Sequence, residues 1–351
     1  MIGVFDSGIG GVTVLRELIR ILPNEDYLYY SDTINNPYGD KTNEEIINIS
    51  DKVVNYLINQ GCKIIVIACN TASAISKEYL RNKYNVPIIA IEPAYKSVNN
   101  ESTLVMATKA TINSDKFKIL FNTYDNHNTI LLSCSGLADL IEEGNKDKII
   151  NYLEDKIGKY KGVKNVVLGC THYPLIKEEI TKVLGPVNFY DGSVGVSKHT
   201  KEVLEKENML EERDGKVLFV DSSNNKDKEI LFYDLLGINH NMNLKEPYYT
   251  YMSNGDKKIE LRVNDEKRRK IKIGDIITFS NYTTNEKLLV RVVDLLYYDN
   301  FEKLIEDNDT SILVGRPIDK KELLEILSEF YTQEEQEKYG VVGIRIEKIS
   351  Q

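Results

Sequence analysis

The sequence predicts an α/β protein built as two similar parallel-sheet α/β halves, followed by a small C-terminal β-barrel-like (α+β) domain. Three observations carry this. Short apolar runs alternate with helical patterns up to about residue 240. One strand-plus-cysteine segment occurs twice. Beyond residue 240 the composition turns to tyrosine, lysine and short strand-like runs.

Taken in order, Ile2–Phe5, Tyr27–Tyr30, Ile64–Ala68 and Ile88–Ile91 read as strands, and Leu104–Ala107, Ile130–Leu132, Val166–Leu168, Asn188–Tyr190 and Val217–Val220 continue the series. Between the first of them, Val12, Leu15, Leu18 and Leu22, then Ile46, Ile47, Val53, Val54, Leu57 and Ile58, keep helical spacing. Near-continuous apolar strands alternating with helices imply parallel sheets covered on both faces. Ser222–Asn225 reads as a loop before a last helix, and the pattern breaks near Gly237–Asn241. In the tail, Lys258–Val263, Asp275–Phe279, Leu288–Asp294 and Val341–Ile346 read as strands, with helices around Phe301–Glu306 and Lys320–Phe330. The 351 residues lead one to expect two or three compact units.

The formal net charge of −9 argues against a protein that envelops nucleic acid, although it leaves room for a local basic patch. The four cysteines are too sparse for a disulfide framework and form no C-x-x-C pair. Met1 leads straight into a strand-like run without a basic leader, and no apolar run approaches membrane-span length. A cytoplasmic location, free thiols and no membrane contact are expected.

Ile65-Val66-Ile67-Ala68-Cys69-Asn70-Thr71 echoes Val166-Val167-Leu168-Gly169-Cys170-Thr171-His172. Cys69 and Cys170 lie 101 residues apart, about one α/β domain, so each half presents one thiol at the carboxyl end of a strand, where open parallel sheets bind ligands. A cysteine at a strand end is by default an inert core residue, and Cys62 and Cys134 keep that reading. Two echoing thiols followed by polar residues point to chemistry instead. Inverting an amino-acid α-carbon needs a base on one face and an acid on the other, and two opposed thiols supply both. Both cysteines precede expected helices, whose dipoles would favour a thiolate. No pyridoxal-binding lysine motif or metal-ligand cluster competes, so no cofactor and no metal are expected.

Further polar groups gather at strand ends. The glycines of Phe5–Gly11 would let backbone amides approach an anion, a generic βα turn being the bland alternative. Asp32-Thr33 with Pro37-Tyr38-Gly39 follows the second strand, where an ordinary proline turn is the alternative. Asn70-Thr71 and Thr171-His172 suit a substrate with two carboxylates and one ammonium; His172 alone would more often be structural.

These segments, with Gly169–Leu175, Glu92-Pro93, Ala107–Ser114 and Asp191–Ser193, resemble the glutamate racemase family in order and spacing over residues 1–240. The resemblance implies two pseudosymmetric halves with the active site between them: residues 1–95 plus 205–240 as the first, 96–204 as the second. It implies Cys69 and Cys170 as the proton donors and acceptors, assisted by Asp6 and His172 respectively. It further implies substrate contacts from Asp6, Ser7, Tyr38, Gly39, Asn70, Thr71, Thr171 and His172, with L- and D-glutamate as ligands and a homodimer as the assembly. One departure is Cys134–Asp139, where the family carries an apolar, proline-containing run. Asp139 there adds a polar group near a wall of the second half, which leaves catalysis intact and bears on domain packing or regulation.

Residues 241–351 resemble the ASCH family, a β-barrel-like fold related to RNA-binding domains, through Gly255–Arg262, Lys270–Asp275 and Tyr339–Ile346. Some relatives hydrolyse an acetylated cytidine with a lysine and a threonine in G-x-K-x-x-T. Here Glu260 replaces that threonine, so hydrolysis is not expected. RNA or a nucleoside is the implied ligand. Lys267, Arg268, Arg269, Lys270 and Lys272 could hold phosphates, a solvated loop being equally consistent. The reading that results is a cofactor-independent glutamate racemase supplying D-glutamate for peptidoglycan. Its alternatives are an aspartate racemase, or a racemase scaffold serving as an RNA-binding or regulatory protein.

Overall fold

The computed structural model describes residues 1–124, 127–212 and 215–349. The chain forms two compact units, Met1–Glu229 and Ile230–Gln351, with the boundary inside the helix Lys226–Leu236.

The first unit contains two parallel sheets. One is formed by β1 (Ile2–Asp6), β2 (Tyr27–Ser31), β3 (Ile64–Ile67), β4 (Ile88–Ala90) and, from far along the chain, β9 (Val217–Asp221), in the order β4-β3-β1-β2-β9. The other is formed by β5 (Thr103–Ala107), β6 (Thr129–Ser133), β7 (Asn165–Gly169) and β8 (Asn188–Asp191), in the order β6-β5-β7-β8. All nine expected strands are present, and every pairing is parallel. The reason is visible in burial. All four β3 side chains are fully buried, as are the five residues of β5 and of β7. Each such aliphatic side chain contributes roughly 1.5–3 kcal/mol relative to exposure, so helices must cover both sheet faces.

Register places the chemistry. Ile67 and Phe5 are paired across β3 and β1, so the residues after β3 and those after β1 emerge side by side at the carboxyl edge. Asp6 ends β1 and Cys69 follows β3. In the second sheet Ala107 pairs with Gly169, setting Thr108 beside Cys170 at the equivalent edge.

The second unit holds one curled, half-barrel mixed sheet of β10 (Asn239–Leu244), β11 (Ile259–Val263), β12 (Ile276–Asn281), β13 (Lys287–Tyr298) and β14 (Val341–Lys348), in the order β10-β12-β13-β14-β11. β10 and β12 run parallel; the other pairs are antiparallel. β10 occupies the stretch where the sequence pattern breaks down, because half of Asn239–Leu244 is asparagine and only Met242 and Leu244 are buried. No helix among the described residues is long and apolar enough to cross a membrane.

Candidate active site

The two cysteines reach their positions by different local structures. Cys69 is the N-cap of the helix Asn70–Lys83, and its sulfur accepts from Ala72 N at 3.5 Å. After Cys170, by contrast, a turn (Tyr173 N to Cys170 O, 3.2 Å) and a short 3-10 segment at Tyr173–Ile176, with Pro174 in it, intervene. The α-helix begins only at Lys177. The expectation that both thiols sit at helix N-termini is therefore corrected: the helix dipole reaches Cys69 alone, since its effect fades within the first turn.

Both thiols nevertheless border one cavity of about 30 Å³. Ser7, Tyr38, Gly39, Asn70, Thr71, Thr171 and His172 line it with them, so every anticipated contact except Asp6 faces the same space. Asp6 lies immediately behind, fully buried. Further residues share the lining. Asp139 forms part of the wall, Cys134 borders the cavity as well as its own core, and Thr108 adds a hydroxyl.

The glycine loop after β1 holds carboxylates of the protein itself. Asp6 Oδ2 accepts from Gly11 N at 2.9 Å and from Gly8 N at 3.4 Å, and Ile9 N donates to Glu142 Oε1 at 2.9 Å. The loop also needs glycine for space. A Cβ on Gly10 would lie 2.5 Å from His172 Nδ1, and one on Gly8 2.0 Å from Glu142 Oε1.

Glu142 is the member that the sequence reasoning missed. Its carboxylate meets His172 Nε2 at 2.9 Å and pairs with Lys228 Nζ through the other oxygen. The far side of the imidazole, Nδ1, lies 3.7 Å from Cys170 Sγ. The result is a line Lys228–Glu142–His172–Cys170 that runs from a partly exposed lysine to a buried thiol. In the sequence Glu142 is one of two adjacent glutamates on a short helix, Leu137–Glu143, and only burial separates it from its exposed neighbour Glu143.

Ionisation follows from these contacts. Burial opposes charge on Glu142, but His172, the Lys228 ammonium and the Ile9 amide outweigh it and hold its pKa at about 2. Burial likewise opposes an imidazolium, yet Cys170 and Glu142 raise the His172 pKa well above the usual value. Burial, then the charge of Asp6, pushes the Cys69 thiol up to about 12 against the opposing Ala72 amide and Ser7. Burial also raises the pKa of Asp6.

Neighbours on the Cys69 side are hydroxyls. Ser7 Oγ lies 3.7 Å from its sulfur, and Thr71 Oγ1 is 2.9 Å from Thr108 Oγ1. Tyr38 donates to Asp32 Oδ2 at 2.6 Å, which fixes the tyrosine in the wall. Among the described residues Asp6 makes no hydrogen bond to Cys69; it accepts from Thr171 Oγ1 at 3.2 and 3.3 Å. Of the basic tail cluster, Lys267, Arg268 and Lys270 line a separate cavity of the second unit. Arg269 instead donates to Asn264 O and stacks over Tyr339. Lys272 lies outside that lining too.

Residues 2–194 match the family profile described as Asp/Glu/Hydantoin racemase, and residues 242–350 match the ASCH domain. The chain is 43% identical over 249 residues to a glutamate racemase of Clostridium botulinum (strain Kyoto / Type A2), covering 68% of this chain and 97% of that one. It is 44% identical over 222 residues to one from Clostridium perfringens (strain SM101 / Type A), covering 60% and 85%. Among solved structures, glutamate racemase from Francisella tularensis subsp. tularensis SCHU S4 in complex with D-glutamate superposes with a TM-score of 0.60 at 33% identity, covering 67% of this chain and 93% of that one.

Proposed function

The chain belongs to the Asp/Glu/hydantoin racemase family, and from that premise we propose that it interconverts L- and D-glutamate by proton transfer between Cys69 and Cys170. The observation that carries this reading is the single cavity bordered by both sulfurs, one from each sheet.

In one direction Cys170 takes the α-proton while Cys69, held as a thiol, delivers a proton to the opposite face of the planar intermediate. The electron pair left by the first transfer is the one that the second protonates, so no redox partner is needed. His172, kept cationic by Glu142, stands beside Cys170 to relay a proton. Ser7, Asn70, Thr71 and Thr171 supply neutral donors for carboxylates, and the buried Asn70 Oδ1, which has no protein partner, is an acceptor for the ammonium. A cavity of about 30 Å³ cannot hold glutamate, so its walls must part for entry and close for chemistry. The product serves peptidoglycan synthesis as its source of D-glutamate.

Purified protein supplied with L-glutamate in deuterated water, and nothing else, should yield D-glutamate labelled at the α-carbon. Unlabelled product, or none, overturns the reading. The same preparation offered aspartate separates the two substrates.

The second unit is assigned binding of RNA or a nucleoside, supported by its ASCH match and by Lys267, Arg268 and Lys270 on one cavity. Binding of labelled RNA at two salt concentrations tests this: loss of affinity with salt supports it, and no binding at either refutes it.

A further inference from the structure

Four charged side chains stand in the described lining of the cavity between the two thiols: Asp40, Lys109, Asp139 and His172. His172 is already engaged, its ring nitrogens facing Glu142 at 2.9 Å and Cys170 at 3.7 Å. Lys109 is the other cation of that lining. It is exposed, and its side chain makes no hydrogen bond or ion pair among the described residues. Nothing in the proton transfer between the sulfurs uses it.

The fold fixes where this ammonium begins. Thr108 caps the short helix Lys109–Asn113, its Oγ1 accepting from Thr111 N at 3.1 Å. The pairing of Ala107 with Gly169 sets Thr108 beside Cys170, and its hydroxyl lies 2.9 Å from that of Thr71, two residues beyond Cys69. From the other half the turn Tyr38–Asp40 closes on the same residue: a Cβ on Gly39 would lie 3.3 Å from Thr108 Cβ. Thr108 and Gly39 therefore form a seam, and the next residue on each side of it is charged, Lys109 on one and Asp40 on the other. Asp139 joins this rim from the helix Leu137–Glu143, where burial, the His172 charge and that of Asp40 all act on it.

The inner lining differs in kind. Ser7, Asn70, Thr71 and Thr171 are neutral, enough for one carboxylate held close to the sulfurs. A second carboxylate, carried two carbons away from the reacting centre, meets the rim. Two acids there repel it, and only a cation beside them offsets that repulsion.

We infer that Lys109 anchors the side-chain carboxylate of the substrate at the cavity rim, against the opposing charge of Asp139. The inference rests on the glutamate reading above and assigns one end of that substrate to a residue outside the proton-transfer machinery.

The test is steady-state kinetics of the full-length protein and three variants with glutamate, with glutamine, equal in length but neutral at its end, as a competing ligand. Lys109→Met should raise KM for glutamate about tenfold and change kcat by about threefold at most, because a remote anchor acts equally before and in the transition state. Lys109→Arg, which keeps the charge, should bring KM back to within about twofold of the parent. Asp139→Asn removes a repelling carboxylate at nearly constant shape and should lower KM, a change of opposite sign that loss of packing would not produce. Glutamine should compete alike against the parent and Lys109→Met. An unchanged KM in Lys109→Met, or a rise that Lys109→Arg shares, overturns the anchor. Weaker competition by glutamine in Lys109→Met, in step with glutamate, would put the lysine at the α-carboxylate and overturn the assignment too. A parent that racemises no glutamate removes the broader reading, whereas an active parent with an indifferent Lys109→Met removes this inference alone.

Discussion

His172 Nε2 and Glu142 Oε1 stand 2.9 Å apart, both almost wholly out of water, with Cys170 on the other side of the ring at 3.7 Å. A buried charge of either sign alone would be costly, so each holds the other ionised. Glu142→Gln should therefore strip His172 of its counter-charge, lower kcat by about a hundredfold as for other positioned acid–base groups, and change KM little. A kcat within twofold of the parent would disprove the relay.

The same pair should write a signature in stability against pH. Glu142 is depressed to about 2, so its contribution is present above the ordinary carboxylate value of 4.5 and is lost as pH falls towards 2. His172 is raised, so its contribution is full below 6.5 and fades as pH climbs through its elevated folded pKa. The Tm difference between the parent and Glu142→Gln should peak between about pH 4.5 and 6.5, where both contributions are full, and shrink on either side. Thermal melts at five pH values decide this, and a difference flat across them would contradict the assignment.

Much of this machinery was legible in the sequence, for a physical reason. Parallel strands buried on both faces must be apolar throughout, so Ile64–Ile67 and Val166–Leu168 stand out unaided, and the cysteines at their ends follow. What hid was polar. β13 extends to Tyr298, past the expected end at Asp294, because a bulge at Val292/Asp294 breaks the alternation. Glu142 hid because a buried glutamate looks like an exposed one until its partners, 30 and 86 residues away, are known. The glycines after β1 were read as anion binders; the anions turn out to be Asp6 and Glu142.

That loop gives a steric prediction. Gly10→Ala places a Cβ within 2.8 Å of three His172 ring atoms, so the ring must shift away from Cys170. Activity should fall by orders of magnitude while stability drops by about 1–3 kcal/mol, the usual cost of overpacking. Gly195→Ala, whose Cβ meets nothing within 4 Å inside the helix Ser193–Lys206, is the control and should be neutral or mildly stabilising. If both variants behave alike, the close packing of loop and imidazole has no functional meaning.

Directional losses should separate the two thiols' helpers. Of the two thiols His172 contacts that of Cys170, so His172→Asn should slow the direction that Cys170 initiates more than the reverse. Asp6 acts on both sides, since its charge raises Cys69 and also His172, while its hydrogen bonds run to Thr171 and Gly11. Asp6→Asn should accordingly reduce both kcat values. Equal effects of His172→Asn on the two directions would argue against a one-sided role.

Lys228 makes the last case, because it lies at the end of the line and at the edge of the first unit. Its ammonium pairs with the Glu142 oxygen that His172 does not use, and it is a quarter exposed. Screening by solvent weakens such a contact relative to the buried pair. Lys228→Met should therefore raise the Glu142 pKa only part of the way back towards 4.5, moving the acid limb of the activity profile upward and costing kcat less than tenfold at neutral pH. A protein truncated near His240 keeps Lys228 and all the cavity-lining residues around the two thiols, and should still racemise glutamate. One truncated before Lys226 loses the ammonium and should show the same acid-limb shift as Lys228→Met. Rate profiles from pH 4 to 8 for the three proteins, beside circular dichroism to confirm folding, compare them directly. An acid limb that stays put in Lys228→Met would mean that Glu142 is held by His172 and the Ile9 amide alone.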